Sequence, residues 1–466
     1  MPRLAALLAL LVTATLIPST RADDASPNIV FVIADDCTYN DLGPWGGTNV
    51  KTPNLDRLSS QGLTFERAYT SMPMCTPTRA AIYTGQYPMT TGVVWNHAAA
   101  RPGTQSWPQR FGQLGYRVGI AGKTHVLPDD VFPFEYVEGV AGNPVGERAD
   151  FDGKGITDFI NRDDEQPFAL VVAFTSPHVP WTAGDKSQFK PADLTVPEHL
   201  ADNPGVRRAL VDYYAEIALL DEQLGEVMQI VDDAGKAENT IFIFCSEQGA
   251  QMPGVKWNLY DFGTHTGLIV RWPDHIEPGR RTDALVQDVD ILPTLLDATG
   301  NDVPAELDGL SFLPVLTGDG DGEREFVYTM HNNVPEGPPY PIRAVSDGEM
   351  LYVRNLAPEH AYVNRFMMGG DGRDSGMWLA FTNNGAWNEH ARMLMDRMII
   401  RQPEEFFNVQ TDPGCLEDLA GDDSHLDDMK RLSSELDRYM NQSGDPGASL
   451  DDGKVMQKQN KAHRNN

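Results

Sequence analysis

Cys75-Thr76-Pro77-Thr78-Arg79 is the stretch of this chain whose residue types and spacing bear most directly on chemistry. It runs into a short apolar helical pattern closed by Gly85. Pro77 fits a first helical turn, where its missing N–H has no intrahelical partner to lose. Cys75 then stands at a helix N-terminus, where backbone N–H groups and the macrodipole favour negative charge. Arg79 follows one turn later and can reach back toward it. Together they make an anion site with a sulfur in it. A cysteine alone at a helix start is ordinarily a small buried apolar residue, so the weight of the reading rests on what the rest of the chain brings there.

Four apolar runs supply it. Ile29 to Ala34 ends in Asp35-Asp36; Tyr116 to Ala121 runs out into Gly122-Lys123-Thr124-His125; Phe168 to Phe174 leads to Ser176-Pro177-His178; Thr240 to Cys245 ends in Ser246-Glu247-Gln248. Lys256 and His265 follow in the next loop, before a further strand over Gly267–Trp272. Such continuous β-branched runs are the pattern of strands buried on both faces of a parallel sheet. Helical patterns stand between or after them, at Pro53–Gly62, Trp107–Gly115, Arg207–Gly235 and Val289–Gly300. The fold class is therefore α/β, with one site along the C-terminal edge of the strands. Asp35, Asp36, Glu247 and Gln248 offer four hard oxygen donors, which suit Ca²⁺ or Mg²⁺; zinc would call for His or Cys in those places. Lys123, His125, His178 and Lys256 are cationic or titratable. A divalent cation beside several cations makes a pocket for a multiply oxygenated anion such as sulfate or phosphate.

The 466 residues, 41% of them hydrophobic, suffice for one large and one smaller unit. A net charge of -30 argues against nucleic acid and anionic membranes as partners. Residues 1–22 read as a secretory signal: Arg3, an apolar run from Leu4 to Ile17, and a cleavage site at Thr20-Arg21-Ala22. No later segment is apolar and long enough to span a membrane. Residues 23–322 form the α/β unit. Residues 323–442 carry short runs, Val327–Met330, Ile342–Val345, Met350–Arg354 and Glu404–Val409, that predict a small antiparallel sheet with a closing helix over Leu426–Met440. The polar residues 443–466 predict a disordered tail. Of the cysteines, Cys37, Cys245 and Cys415 remain beside Cys75, an odd number that excludes a complete disulfide framework if Cys75 is functional.

With these residues in view the chain resembles the type I sulfatases. Cys75-Thr76-Pro77-Thr78-Arg79 with Gly85 matches their C-x-P-x-R signature, and Asp35-Asp36, Gly122-Lys123-Thr124-His125, Ser176-Pro177-His178, Ser246-Glu247-Gln248-Gly249 and Lys256 follow in the family's order. The resemblance covers most of residues 27–420, including Phe407-Asn408-Val409 and Asp412-Pro413. It implies an alkaline-phosphatase-like fold, a Ca²⁺ ion held by Asp35, Asp36, residue 75, Glu247 and Gln248, and oxidation of Cys75 to formylglycine by a formylglycine-generating enzyme. The hydrated aldehyde has two geminal hydroxyls: one attacks sulfur, the other later loses its proton and expels sulfate. Arg79 and Lys123 would hold the hydrate, His125 would help deprotonate it, His178 would protonate the leaving group, and Lys123, His178, Lys256 and His265 would face the substrate. Gly119 to Val126, Val131-Phe132-Pro133-Phe134 and Asn258-Leu259-Tyr260 resemble the heparan N-sulfatase branch, which removes sulfate from N-sulfoglucosamine at a chain end. The expectation is an exported enzyme, periplasmic or secreted, or lysosomal in an animal.

Two departures matter, one from the family and one from its N-sulfatase branch. Glu247-Gln248 stand where Asp followed by Asn or His is usual, each one methylene longer with its donor atoms kept. Lys256 stands where the N-sulfatase branch has an arginine, a point charge in place of a bidentate fork. The alternatives are an O-sulfatase acting on another sulfated polysaccharide, a phosphonate or phosphate ester hydrolase, and an inactive glycan-binding relative. The intact Cys75, Pro77 and Arg79 count against the last.

Overall fold

In the computed structural model, which describes residues 26–143, 151–368, 376–385 and 388–464, the apolar runs form the middle of an eight-stranded sheet. Its strands are β1 (Asn28–Ala34), β2 (Leu63–Tyr69), β3 (Arg117–Gly122), β4 (Glu135–Val137), β5 (Phe168–Ala173), β6 (Thr240–Ser246), β7 (His265–Arg271) and β8 (Arg280–Gln287), in the spatial order β4-β3-β5-β1-β6-β7-β2-β8. Every residue of β1, β5 and β6 is buried, so both faces of the central strands are covered, as their unbroken hydrophobicity requires. Phe31 of β1 meets Trp107 edge to face at 5.5 Å. The long helix Pro204–Asp233 holds α1 (Pro53–Gln61) through Asp221, whose carboxylate accepts from the backbone N–H groups of Asn54 and Leu55 at 3.1 and 2.8 Å.

Parallel pairing is what assembles the site. β1 pairs in register with β5, Ile33 opposite Ala173, and with β6, Ala34 opposite Ser246. β3 pairs with β5, Gly122 opposite Ala173. The residues after each strand therefore leave the sheet side by side: Lys123 and His125, His178, Asp35 and Asp36, Glu247 and Gln248. Gly122 turns the chain there at φ 88°, and a Cβ would lie 2.2 Å from the Ala173 carbonyl oxygen, so only glycine fits. The sheet is not wholly parallel. β7 runs antiparallel to both β6 and β2, and the short hydrophilic β4 and the alternating β8 join as edge strands without a strong apolar signal in the sequence.

The second sheet is β12-β11-β10-β9, antiparallel throughout, from β9 (Val327–His331), β10 (Ile342–Ser346), β11 (Met350–Asn355) and β12 (Glu404–Asn408). Alternation divides its side chains. Ile342, Ala344, Leu351, Val353 and Phe407 pack with Leu259 and Tyr260 of the first unit. Val345, Met350, Tyr352 and Phe406 pack with Leu432 and Leu436 of the closing helix Leu426–Ser443.

The C-terminal tail differs from the expected disorder. After Gly444 the chain forms a helix over Gly453–Arg464, and Leu450 and Asp451 are buried. Asp451 accepts from the backbone N–H groups of Asn333, Val334 and Tyr340 at 2.8, 2.9 and 2.6 Å. Three charge-assisted bonds to one buried loop order a segment whose composition alone gives no reason to fold. The expected signal segment, residues 1–22, lies outside the described residues. No helix among the described residues is long and apolar enough to cross a membrane.

Candidate active site

Helix α2 (Cys75–Thr84) is buried along its whole length and starts at Cys75. Gly85 closes it in the left-handed conformation, φ 65°, donating to the Ala81 carbonyl at 2.9 Å. The backbone N–H of Thr76 donates to Asn96 Oδ1 at 3.2 Å. Pro77 takes the next position in the first turn, where no N–H is needed. Cys75 Sγ therefore points at the sheet edge, 3.6 Å from Asp35 Oδ1 and 3.9 Å from Asp36 Oδ1.

Six charged side chains, all nearly inaccessible, surround that sulfur. Lys123 Nζ donates to Asp35 Oδ2 at 2.5 Å. Lys256 Nζ donates to Asp36 Oδ2 at 2.6 Å and lies 3.5 Å from Cys75 Sγ. Arg79 Nε is 2.6 Å from Glu247 Oε2, and its NH1 donates to the Lys123 carbonyl at 2.9 Å. Three carboxylates thus face three cations. Burial alone would raise Asp35, but Lys123, His178, a hydrogen bond from Glu247 and Arg79 outweigh it and hold its carboxyl well below the usual range. Glu247 moves the other way: burial, reinforced by Asp35 and Cys75, raises it despite Arg79. Burial opposes the charge on Lys256 too, yet Asp36 and Cys75 raise it above a free lysine.

The histidines differ from one another. His178 Nδ1 is 2.5 Å from the Val179 carbonyl, which can only accept. Nδ1 therefore carries a proton, and Nε2, 3.4 Å from Asp36 Oδ2, is the nitrogen that gains or loses one. Burial lowers His178, with Asp36 and Asp35 opposing and Lys256 and Lys123 adding to the effect. His125 is held far below an ordinary imidazole by burial and then by Lys123, His97 and Arg79. Its Nε2 lies 2.9 Å from His97 Nδ1, and its Nδ1 has no hydrogen bond.

The carboxylates, with the Gln248 amide, are the donors that fit a hard divalent cation. Asp35 and Asp36 bring carboxylate oxygens within 4.8 Å of Cys75 Sγ and of a His178 ring nitrogen. Gln248 Nε2 sits among Asp36 Oδ1, Glu247 Oε1 and Cys75 Sγ at 2.7, 2.9 and 3.4 Å: three acceptors converge on one donor. Turning that amide over places Oε1 among them and lets Nε2 donate to Thr78 Oγ1, now 3.2 Å from Oε1. The result is an oxygen-rich cradle suited to Ca²⁺. His178, expected only beside the substrate, belongs to the same cluster.

A cavity of about 420 Å³ opens above Cys75, lined among others by Asn96, His97, Lys123, His125, His178 and Lys256. The structure brings together every expected site residue except His265. That residue opens β7 and is stacked between Tyr39 and Tyr69, with ring centroids 3.7 and 4.7 Å away. Its nitrogens pair with Asp261 Oδ2 at 3.1 Å and the Glu66 carbonyl at 2.8 Å. It lines a different cavity, of about 790 Å³, and the expected substrate contact is corrected accordingly. Only nine positions separate it from Lys256, but the short helix Asp261–Thr264 lies between them, and Tyr39 and Tyr69 hold the ring on their side of the sheet edge. Asn96, His97, Gln251, Trp257, Glu336 and Arg365 also line the Cys75 cavity and were not foreseen. His97 had a signal, a titratable side chain soon after α2; Glu336, in a Pro- and Gly-rich loop, had none.

Comparison with known proteins shows the family. The sulfatase family model matches residues 27–152 and 153–301. An ulvan-active sulfatase of Formosa agariphila is 27% identical over 440 residues, covering 92% of this chain and 83% of its own. The human N-sulphoglucosamine sulphohydrolase is 27% identical over 477 residues, covering 92% and 93%. Among solved structures, BT4656 in complex with its substrate D-glucosamine-2-N,6-O-disulfate superposes with a TM-score of 0.69 at 19% identity, over 90% of this chain and 99% of that one.

Proposed function

This chain belongs to the sulfatase family, and from that premise we propose that it hydrolyses sulfate from a sulfated glycan, with the N-sulfate of N-sulfoglucosamine as its target. It is a sulfuric ester hydrolase. The observation that carries the reading is the cluster of Lys123, Lys256, Arg79 and His178 with Asp35, Asp36, Glu247 and Gln248 around Cys75, which lines a cavity of about 420 Å³. Similarity to the human N-sulphoglucosamine sulphohydrolase over most of both chains supports the N-sulfated sugar. The ulvan-active sulfatase at equal identity supports an O-sulfated polysaccharide as the second reading.

In this reading, Asp35, Asp36, Glu247 and Gln248 would hold a Ca²⁺ ion, which would supply charge neutralisation to a bound sulfate. Cys75 oxidised to formylglycine supplies an aldehyde hydrate as the oxygen nucleophile. Lys123 and Lys256 present buried ammonium groups to sulfate, where low polarity strengthens each contact. Arg79, tied to Glu247 and the Lys123 carbonyl, fixes residue 75 against the sheet edge. His125, kept neutral, offers its Nδ1 as a hydrogen-bond acceptor to a hydroxyl of the hydrate. His178 gives a proton to the leaving nitrogen or oxygen from Nε2. Burial lowers His178, and an arriving sulfate anion favours its charged form. Export, consistent with the Arg3 to Ala22 leader, completes the proposal.

Two measurements test it. The mass of the tryptic peptide containing residue 75, from protein made in its native host, should show the aldehyde; thiol throughout removes the nucleophile. Sulfate release should be faster from N-sulfoglucosamine than from glucosamine 6-O-sulfate or an aryl phosphate. Activity on the O-sulfate alone transfers the assignment to the second reading, and preference for the phosphate refutes both.

A further inference from the structure

The loop between β9 and β10 brings one carboxylate from the second unit into the Cys75 cavity. Glu336 is only 2% exposed, yet it lines that cavity. Its Oε1 accepts from Asn96 Nδ2 at 2.9 Å. Its Oε2 has no hydrogen bond, and the ion-paired Arg365 Nε stands 3.5 Å away on a side chain that is 40% exposed. The loop itself is held firmly. Asp451 takes three of its backbone N–H groups, and Asn333 Nδ2 donates to the carbonyls of Pro338 and Val363 at 2.6 and 2.8 Å.

A buried carboxylate oxygen without a donor is costly. Here it persists on a fixed loop that lines the same cavity as Cys75, Lys123 and Lys256. The missing donor then comes from the occupant. We propose that Glu336 is a specificity-determining residue, accepting a hydrogen bond at Oε2 from a ring hydroxyl of the sugar that carries the sulfate. This rests on the sulfated-sugar reading above. It assigns selectivity for hydroxylated rings to the second unit, while the first unit does the chemistry. Sites built to satisfy a substrate hydroxyl reject analogues lacking it, because their own buried group is left unpaired.

Glu336 also has a structural connection, since Asn96 accepts from Thr76 in the first turn of α2. The test must separate the two roles. In a Cys75→Ser background, calorimetry compares inorganic sulfate, cyclohexylsulfamate, N-sulfoglucosamine and glucosamine 6-O-sulfate as ligands. Glu336→Gln keeps an acceptor for Asn96 and removes the anionic oxygen. It should weaken the sugar about 10- to 100-fold and leave inorganic sulfate and cyclohexylsulfamate within about threefold. Glu336→Asp, which keeps the charge but withdraws it, should give an intermediate loss. Equal losses for all ligands would show a structural role through Asn96 and overturn the assignment, as would undiminished sugar binding. A parent that takes inorganic sulfate but neither sugar refutes the sugar reading itself, and the role of Glu336 with it. A parent that binds a sugar while Glu336→Gln binds it equally well refutes Glu336 alone.

Discussion

Lys256→Met removes the buried ammonium that touches both Asp36 and Cys75 while keeping much of the side-chain volume. At 2.6 Å from Asp36 Oδ2, and with an effective dielectric constant of ~20, the gross attraction is about 6 kcal/mol. Desolvation of both ions offsets much of it, and breaking one side of such a pair costs about 3–5 kcal/mol. That is a large share of the roughly 5–15 kcal/mol that holds a domain together, so the urea midpoint should fall clearly. The effect on rate should be separate and larger than any loss of folded protein. Loss of a preorganised donor to the sulfate should lower kcat/KM about 10²- to 10³-fold. A third readout is more specific. Lys256 is among the charges that lower His178, and Asp36, freed of its lysine, pulls His178 upward. If protonated His178 is the acid, the alkaline limb of the kcat/KM profile should move to higher pH in Lys256→Met. Sulfate release followed by ion chromatography across pH supplies all three quantities after correction for the folded fraction. Lys256→Arg, restoring charge, should recover at least about tenfold of the lost rate. Activity within threefold of the parent, or an alkaline limb that moves down, would refute the assignment of Lys256 to the sulfate and of His178 to the leaving group.

Other perturbations reach other parts of the molecule. Chelation of divalent cations should reduce activity about 10²-fold or more and lower the melting temperature by roughly 5 °C, with Ca²⁺ restoring both better than Mg²⁺; an unchanged melting curve would argue against the oxygen cradle as a metal site. Asp451→Asn, which weakens three bonds to the loop bearing Glu336, should cost about 2–3 kcal/mol of stability and raise KM for the sugar more than it lowers kcat. His331 is fully buried, and burial, reinforced by Arg401 and Arg343 against a hydrogen bond that its Nε2 donates to Asn333 Oδ1, lowers it to about 3. A histidine lowered on folding contributes stability that is fully present above the unfolded value of about 6.5 and is lost as pH falls below it, because only the unfolded chain then takes up the proton. Urea midpoints between pH 7 and pH 5 should therefore slope less steeply in His331→Gln, by up to about 1.4 kcal/mol per pH unit; parallel slopes would show that another group governs acid stability.

What the sequence reveals here follows from how local each signal is. β1, β3, β5 and β6 were legible because strands buried on both faces must be apolar without interruption, and their polar ends then mark the site. The stacking of His265 between Tyr39 and Tyr69 leaves no local trace, and it is what holds that ring away from the chemistry although Lys256 is near in sequence. β4 and β8 are edge strands whose pairing depends on neighbours far along the chain. The same holds for Asp451, whose partners are backbone groups more than a hundred residues earlier. Glu336 was illegible for a related reason. Its meaning comes from Asn96 and from the cavity it lines, 240 positions away in the case of Asn96, and a Pro-Glu-Gly loop announces neither.

The positions where this chain departs from its family are also the ones whose contacts compensate one another. A glutamate at 247 is longer by one methylene than the usual aspartate, and that reach is taken up by Arg79, whose Nε lies 2.6 Å from Glu247 Oε2. Gln248, equally lengthened, still reaches Asp36 and Cys75 at 2.7 and 3.4 Å. Lys256, in the place of a guanidinium, brings a compact charge within 2.6 Å of Asp36 and 3.5 Å of Cys75 at once. With Glu247 ionised, the cluster sets three carboxylates against three fixed cations in a protein of net charge -30. A divalent cation added to it gives a local excess of positive charge within a buried, weakly screened space. That excess matches a sulfate group, and the overall acidity of the surface does not oppose it, because charges beyond about 8 Å are screened in solution while those around Cys75 are not. The longer carboxylate and amide and the smaller cation are therefore parts of one altered geometry with unchanged electrostatics.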